Sequence, residues 1–100
     1  MNYYYDRDGK PITLEDWARL MEDKEYRTVA RDDDRRELYV VSTVWVGLNH
    51  RWLAYGPILI FETAIHGPNG WEIVNRYTTV EQARAGHAAA LRTVQAAARN

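Results

Sequence analysis

His87 is the position that most invites chemistry. At 100° per residue it falls in the middle of an apolar stripe formed by Val80, Ala83, Leu91, Val94 and Ala98. An imidazole on a buried stripe needs a hydrogen-bond partner, because a charged ring without one costs stability. Glu62, an acid within an otherwise apolar run, is the first candidate partner, with Thr43 and Ser42 as alternatives. Such a pair can act as acid and base, or it can tie a helix to a sheet; spacing alone leaves both open.

A second cluster is Asn49-His50-Arg51-Trp52 with Tyr55, on a segment bounded by Gly47 and Pro57. It gathers hydrogen-bonding groups, a cation and two aromatics, the combination that stacks a nucleobase and holds its phosphate. Arg76 and Arg84 would extend the basic surface. Arginine dominates the basic residues, with lysine only at positions 10 and 24, and arginine suits bidentate pairing with phosphate or carboxylate. The same cluster also fits an ordinary exposed loop, and Arg92 late in a helix also offsets the helix dipole with no ligand.

The motifs of common enzymes are missing. There is no glycine-rich phosphate loop, HExxH or nucleophile elbow, and cysteine is absent. His50, His66 and His87 never stand three or four residues apart, so no metal site is expected and no cofactor is implied. These features point to a protein that binds rather than one that turns over a substrate.

The elements that position these residues follow from periodicity. Tyr3-Tyr4-Tyr5 reads as a short strand closed by an Asp6–Gly9 turn. Thr13 and Asp16 open a short helix with Leu14, Trp17, Leu20 and Met21 on one side, ending by Lys24. Tyr26–Arg31 is predicted as a strand, and Asp32-Asp33-Asp34-Arg35-Arg36 as a solvated hairpin tip. Glu37–Val46 is predicted as a strand, β-branched and apolar on both faces, so cover is expected on both. Ile58–His66 and Trp71–Tyr77 form a hairpin around Gly67-Pro68-Asn69-Gly70. Thr78 and Thr79 then cap a helix running to about Arg99.

The fold class is therefore α+β: an antiparallel four-stranded meander with a short N-terminal helix and a long C-terminal helix packed on the sheet, one domain spanning residues 1–100. Away from its apolar stripe, the last helix carries Ala85, Ala89 and Ala96 beside Arg92, with Gly86 also expected on that side. A surface this small suits close approach of a second copy, so a homo-oligomer is expected through Ala85, Ala89, Arg92 and Ala96, and so small a domain gains stability from association.

The net charge of −1 over 100 residues argues against bulk electrostatic binding of long nucleic acid. No apolar stretch approaches the roughly 20 residues of a membrane helix. The N-terminus lacks the pattern of a signal peptide, and the absence of cysteine fits a reducing cytoplasm.

Four stretches carry a family likeness: Tyr5-Asp6-Arg7-Asp8-Gly9-Lys10-Pro11-Ile12, the run Val41-Ser42-Thr43-Val44-Trp45-Val46-Gly47-Leu48-Asn49-His50, Ile60-Phe61-Glu62-Thr63-Ala64-Ile65, and Arg76 through His87 (RYTTVEQARAGH). In these the chain resembles a group of small proteins encoded by tailed phages and prophages, mostly of actinobacteria, over nearly its whole length. Where that group usually has an Asp-His pair after the central strand, this chain has Asn49-His50. The group carries no catalytic assignment to transfer. What the resemblance implies is a setting, the cytoplasm of an infected bacterium, and a role by binding. One such role is to counter host defence by sequestering a small anionic, nucleotide-derived immune signal at a subunit interface. The alternatives are a protein–protein inhibitor that docks through Asp32-Asp33-Asp34, or a small hydrolase using Glu62 and His87.

Overall fold

The computed structural model describes residues 3–34, 39–49 and 56–98, with the side chains of Asp34 and Ala98 excepted. Its elements are β1 (Tyr4–Tyr5), β2 (Pro11–Ile12), α1 (Leu14–Met21), α2 (Lys24–Arg27), β3 (Thr28–Asp34), β4 (Tyr39–Trp45), β5 (Phe61–Gly67), β6 (Gly70–Tyr77) and α3 (Val80–Ala98). The architecture is the expected α+β one. Strands β3 to β6 form an antiparallel meander in chain order, and α3 packs across one face of it, touching all four strands.

Alternation in β4 sets the layers. Tyr39, Val41, Thr43 and Trp45 point inward and are buried, while Val40, Ser42 and Val44 on the other face are only half-buried. Cover on both faces, expected from the apolar pattern, is thus complete on the helix side alone. Trp45, Ile60, Phe61, Tyr77 and Ala83 form the core, and the N-terminal segment adds Tyr5, Ile12, Trp17, Leu20, Met21 and Tyr26 around it. Burying side chains such as Phe61 and Ile60 contributes about 1.5–3 kcal/mol each.

The N-terminal segment is stitched to the end of β4 by hydrogen bonds. Trp45 Nε1 donates to the Tyr5 carbonyl at 3.0 Å, Trp17 Nε1 donates to the Val46 carbonyl at 2.9 Å, and Tyr5 N donates to the Gly47 carbonyl at 2.8 Å. Gly47 lies between the two indoles with φ +65°, where any side chain would be strained and would strike both rings. Thr13 caps α1 by accepting from Asp16 N at 3.1 Å, as its spacing predicts.

Several boundaries differ from those read in the sequence. Tyr26 and Arg27 lie in the helical turn α2, because the Asp23 carboxylate accepts from Tyr26 N and caps it; the strand starts at Thr28. Asp32, Asp33 and Asp34 are not a hairpin tip but rungs of β3, paired with Val41, Val40 and Tyr39. Arg35 and Arg36 lie outside the described residues. Pro11–Ile12 forms an additional strand against Tyr4–Tyr5. Strand β5 begins at Phe61, three residues later than expected, since Ile58–Ile60 departs from regular pairing even though Ile60 N still donates to the Tyr77 carbonyl at 2.9 Å. Helix α3 matches its predicted span, and Thr79 caps it by accepting from Gln82 N at 3.1 Å. Gly86, expected on the outward side, lies against the Tyr77 ring, and a Cβ there would collide with the phenol.

Candidate functional site

The polar groups beneath α3 form one continuous chain across the sheet. His87 Nε2 lies 2.6 Å from Asp32 Oδ2 on β3, and His87 Nδ1 lies 2.7 Å from Thr43 Oγ1 on β4. Thr43 Oγ1 is 2.6 Å from Thr63 Oγ1 on β5, and the Tyr77 hydroxyl of β6 donates to Thr63 Oγ1 at 3.1 Å. Every strand of the meander thus contributes one polar side chain, and α3 contributes the imidazole.

Strand register explains the convergence. Ala30, Thr43 and Thr63 are neighbours across β3, β4 and β5, so the two threonines share one inward row. Asp32 sits two residues beyond Ala30 on the same face, at the height of the middle of α3. The interior of the chain is dry: Thr43 and Thr63 are 0% exposed and His87 is 5% exposed, whereas the Asp32 side chain keeps 47% of its surface in solvent. The hydrogen bonds satisfy groups whose burial would otherwise cost about 1–3 kcal/mol each.

The arrangement corrects the expected partner of His87. Thr43 was among the candidates and does bond the ring, but Glu62 does not. Glu62 occupies the opposite face of β5, where it pairs across the strands with Arg76, Oε2 to Nε at 3.6 Å. The alternation of β5 decides this, because Phe61 and Thr63 take the helix face and leave Glu62 pointing away. A hydrolase built on Glu62 and His87 therefore has no geometric basis. Asp32 was missed because the acidic run was assigned to a turn; extending the strand parity through it would have placed Asp32 inward.

An Asp–His–Thr succession resembles the order of groups in a catalytic triad, but this one has no reachable nucleophile. The Thr43 hydroxyl is enclosed between His87 and Thr63. Among the described residues no three His, Cys, Asp or Glu side chains converge in a way that could hold a metal ion.

The expected ligand residues do not gather in one place. His50, Arg51, Trp52 and Tyr55 lie outside the described residues. Asn49 Oδ1 accepts from Leu59 N at 3.1 Å, a structural contact. Arg76 lies with Glu62 on the face of the sheet away from α3, whereas Arg84 is exposed on α3 itself, so the sheet separates the two. Ala85, Ala89, Arg92 and Ala96 are all exposed along α3, and Arg84 and Arg92 make no ion pair among the described residues. Beside this surface, α3 and the edge strand β6 enclose an open groove of about 240 Å³ lined by Tyr77, Gly86, Ala89, Thr93 and Val74, among others. The far side of β6 exposes Trp71 and Ile73.

No described helix is long and apolar enough to cross a membrane. Comparison of the chain with family models, curated proteins and solved structures finds no match to any of them.

Proposed function

We propose that this chain is a phage-type accessory binding protein that works as a homo-oligomer and sequesters a small anionic, nucleotide-derived immune signal where two copies meet. The observation that carries the reading is the outward side of α3. There the small residues Ala85, Ala89 and Ala96 leave room for a second backbone, and two exposed guanidinium groups, Arg92 beside them and Arg84 on the flank of the helix, stand without ion-pair partners among the described residues. Unpaired arginine next to a surface that admits close approach is the chemistry needed to clamp phosphate between subunits. Arg51 and Trp52 would complete the clamp, and Arg76, across the sheet, belongs to it only if contributed by another copy. The sealed state of Thr43 supports binding over turnover.

Native mass spectrometry of protein purified from infected cells tests the reading directly, since it reports subunit count and retained small molecule together. More than one copy with a bound nucleotide is the expected result, and a bare monomer at every concentration overturns it. Calorimetry with a panel of cyclic oligonucleotides should show at least tenfold weaker binding for Arg84→Ala, Arg92→Ala or Trp52→Ala, a loss of about 1.4 kcal/mol or more.

A second reading, an inhibitor of a host protein, is favoured by the exposure of Trp71, Ile73 and Val74 on the edge strand β6. The acidic run first considered for that role is partly committed, Asp32 to His87 and Asp33 to Arg31 at 3.9 Å. Pull-down from host lysate separates the readings: a heat-stable small molecule supports sequestration and a captured protein supports inhibition.

A further inference from the structure

The edge strand β6 carries a depression on each of its faces, and the two meet at its bulge. Strand pairing shifts between Thr63 and Ala64, so Val74 is the extra residue of β6. Before the bulge Ile73, opposite Ala64, turns away from α3. After it Asn75, opposite Thr63, turns toward α3, and Arg76, opposite Glu62, turns away. One depression is the groove of about 240 Å³ between α3 and β6. The other, of about 260 Å³, lies against Leu59, Ile73 and Arg76, and Val74 and Asn75 line both.

The groove suits an uncharged ring. Its walls are chiefly Ile65, Val74, Ala89 and Ala90 with the Tyr77 ring, and no charged residue lines it. Two polar side chains stand on opposite walls with hydrogen-bonding capacity unused among the described residues. Asn75 Oδ1 accepts from Arg76 N at 2.9 Å, which leaves the Nδ2 protons as donors on the strand wall. Thr93 Oγ1 donates its proton to the Ala89 carbonyl at 3.0 Å, which leaves it an acceptor on the helix wall. A planar heterocycle with an acceptor and an N–H donor on its rim satisfies both while its faces meet apolar carbon. Pockets that enclose drug-sized ligands run to about 300–1,000 Å³, so this groove holds one ring system and the rest of the ligand lies outside it.

What lies outside is decided by charge. Glu72, exposed on β6 and opposite Ile65 on the groove side, repels an anion at that end. Arg76 lies at the other, next to Asn75 in the second depression. Its contact with Glu62 is 3.6 Å, longer than a hydrogen bond, so guanidinium donors remain for a phosphate. The cation is also the outer member of that pair, with 39% of its side chain exposed against 17% for Glu62. We propose that the β6 edge is a nucleotide-binding site within a single chain, with the base in the groove between Asn75 and Thr93 and the phosphate over the edge on Arg76. The site takes the ligand class of the proposed function but needs neither a second copy nor Arg84 and Arg92, so either can fail without the other.

The test is a ¹⁵N NMR titration of the full chain with the common nucleoside monophosphates, the matching nucleosides and inorganic phosphate. The expected result is that at least one monophosphate shifts the Asn75 side-chain amide, the Ala90 and Thr93 backbone signals and the Arg76 Nε–H together, while its nucleoside shifts the groove signals alone. Arg76→Gln should weaken the monophosphate by about tenfold or more and leave the nucleoside unchanged, and Thr93→Val should weaken both. Groove signals that stay still with every monophosphate overturn the site. So do shifts confined to Arg84 and Arg92, which would place the ligand on the outward side of α3, and an Arg76 response to inorganic phosphate with a silent groove. Undiminished monophosphate affinity in Arg76→Gln overturns the phosphate seat. Because the decisive reading comes from the unmodified chain, a variant that fails to fold does not remove the test.

Discussion

At the residue scale, the most consequential contact joins positions 55 apart in sequence, His87 and Asp32. Asp32→Asn keeps a hydrogen-bonding group facing Nε2 but removes the charge. Because the carboxylate is half-exposed, we expect the loss in unfolding free energy to stay near 1 kcal/mol, measured by urea denaturation. His87→Ala should cost more, about 2–4 kcal/mol, because it removes the hydrogen-bond partner of the buried Thr43 hydroxyl and opens a void beneath α3. Equal effects of the two variants would show that the inner half of the chain contributes nothing.

Tyr26 sits on the N-terminal layer, edge-on to Trp45 at 5.0 Å, and accepts at its hydroxyl from Arg7 N at 2.9 Å. Burial raises its pKa above the ordinary value of 10.0, partly offset by that hydrogen bond, while Asp6 adds to the rise. A raised folded value means the neutral phenol is favoured by the fold. Its contribution is complete below about pH 10 and is lost as pH climbs through the folded value. Tyr26→Phe should therefore flatten the fall of stability with pH above 10 while leaving the slope at neutral pH unchanged, as read from thermal melts.

At the scale of elements, the contact of α3 with β6 turns on Gly86. Alanine is the better helix former by about 1 kcal/mol, so a solvent-facing Gly86→Ala change should stabilise α3. Here the added methyl meets the Tyr77 ring, and overpacking of this kind costs about 1–3 kcal/mol. Gly86→Ala should lower the melting temperature, whereas Ala85→Gly, on the exposed side, should lower it only by the propensity difference. A higher melting temperature for Gly86→Ala would mean that α3 stands off the sheet.

The same helix shows how far pattern reading reaches. Its start, length and inward residues Ala83 and His87 followed from a capping sequence and a 100° period, both local properties. Gly86 was misplaced because the stripe was drawn from hydrophobicity, and glycine reveals its packing only when a ring lies against it. Strands β4 and β6 were legible for a similar local reason, the alternation of β-branched and aromatic residues bounded by turn residues. Strand β3 was cut short because three consecutive aspartates read as solvent-seeking, although every second residue of a strand can face the interior if a partner waits there.

At the scale of the molecule, the sheet has one face beneath α3 and another whose central row is half-buried, and its edge strand β6 exposes Trp71, Ile73 and Val74. An edge of this kind invites association. Ile73→Lys should change the unfolding free energy by no more than about 0.5 kcal/mol, since the side chain is largely exposed. If the second reading of function holds, it should also abolish capture of a host protein in pull-down; sequestration through α3 predicts no change in ligand affinity.

The sequence by itself determined the α+β class, the order of the four meander strands, the capped final helix and the burial of His87. Those depend on propensity, periodicity and turn chemistry within windows of ten to twenty residues. Only the tertiary structure decided which acid meets the imidazole, that Glu62 turns away to Arg76, and that Thr43, Thr63 and Tyr77 complete a chain with it. The reason is register: moving a strand by one residue exchanges its two faces, and the pairing that fixes register is made between segments distant in sequence.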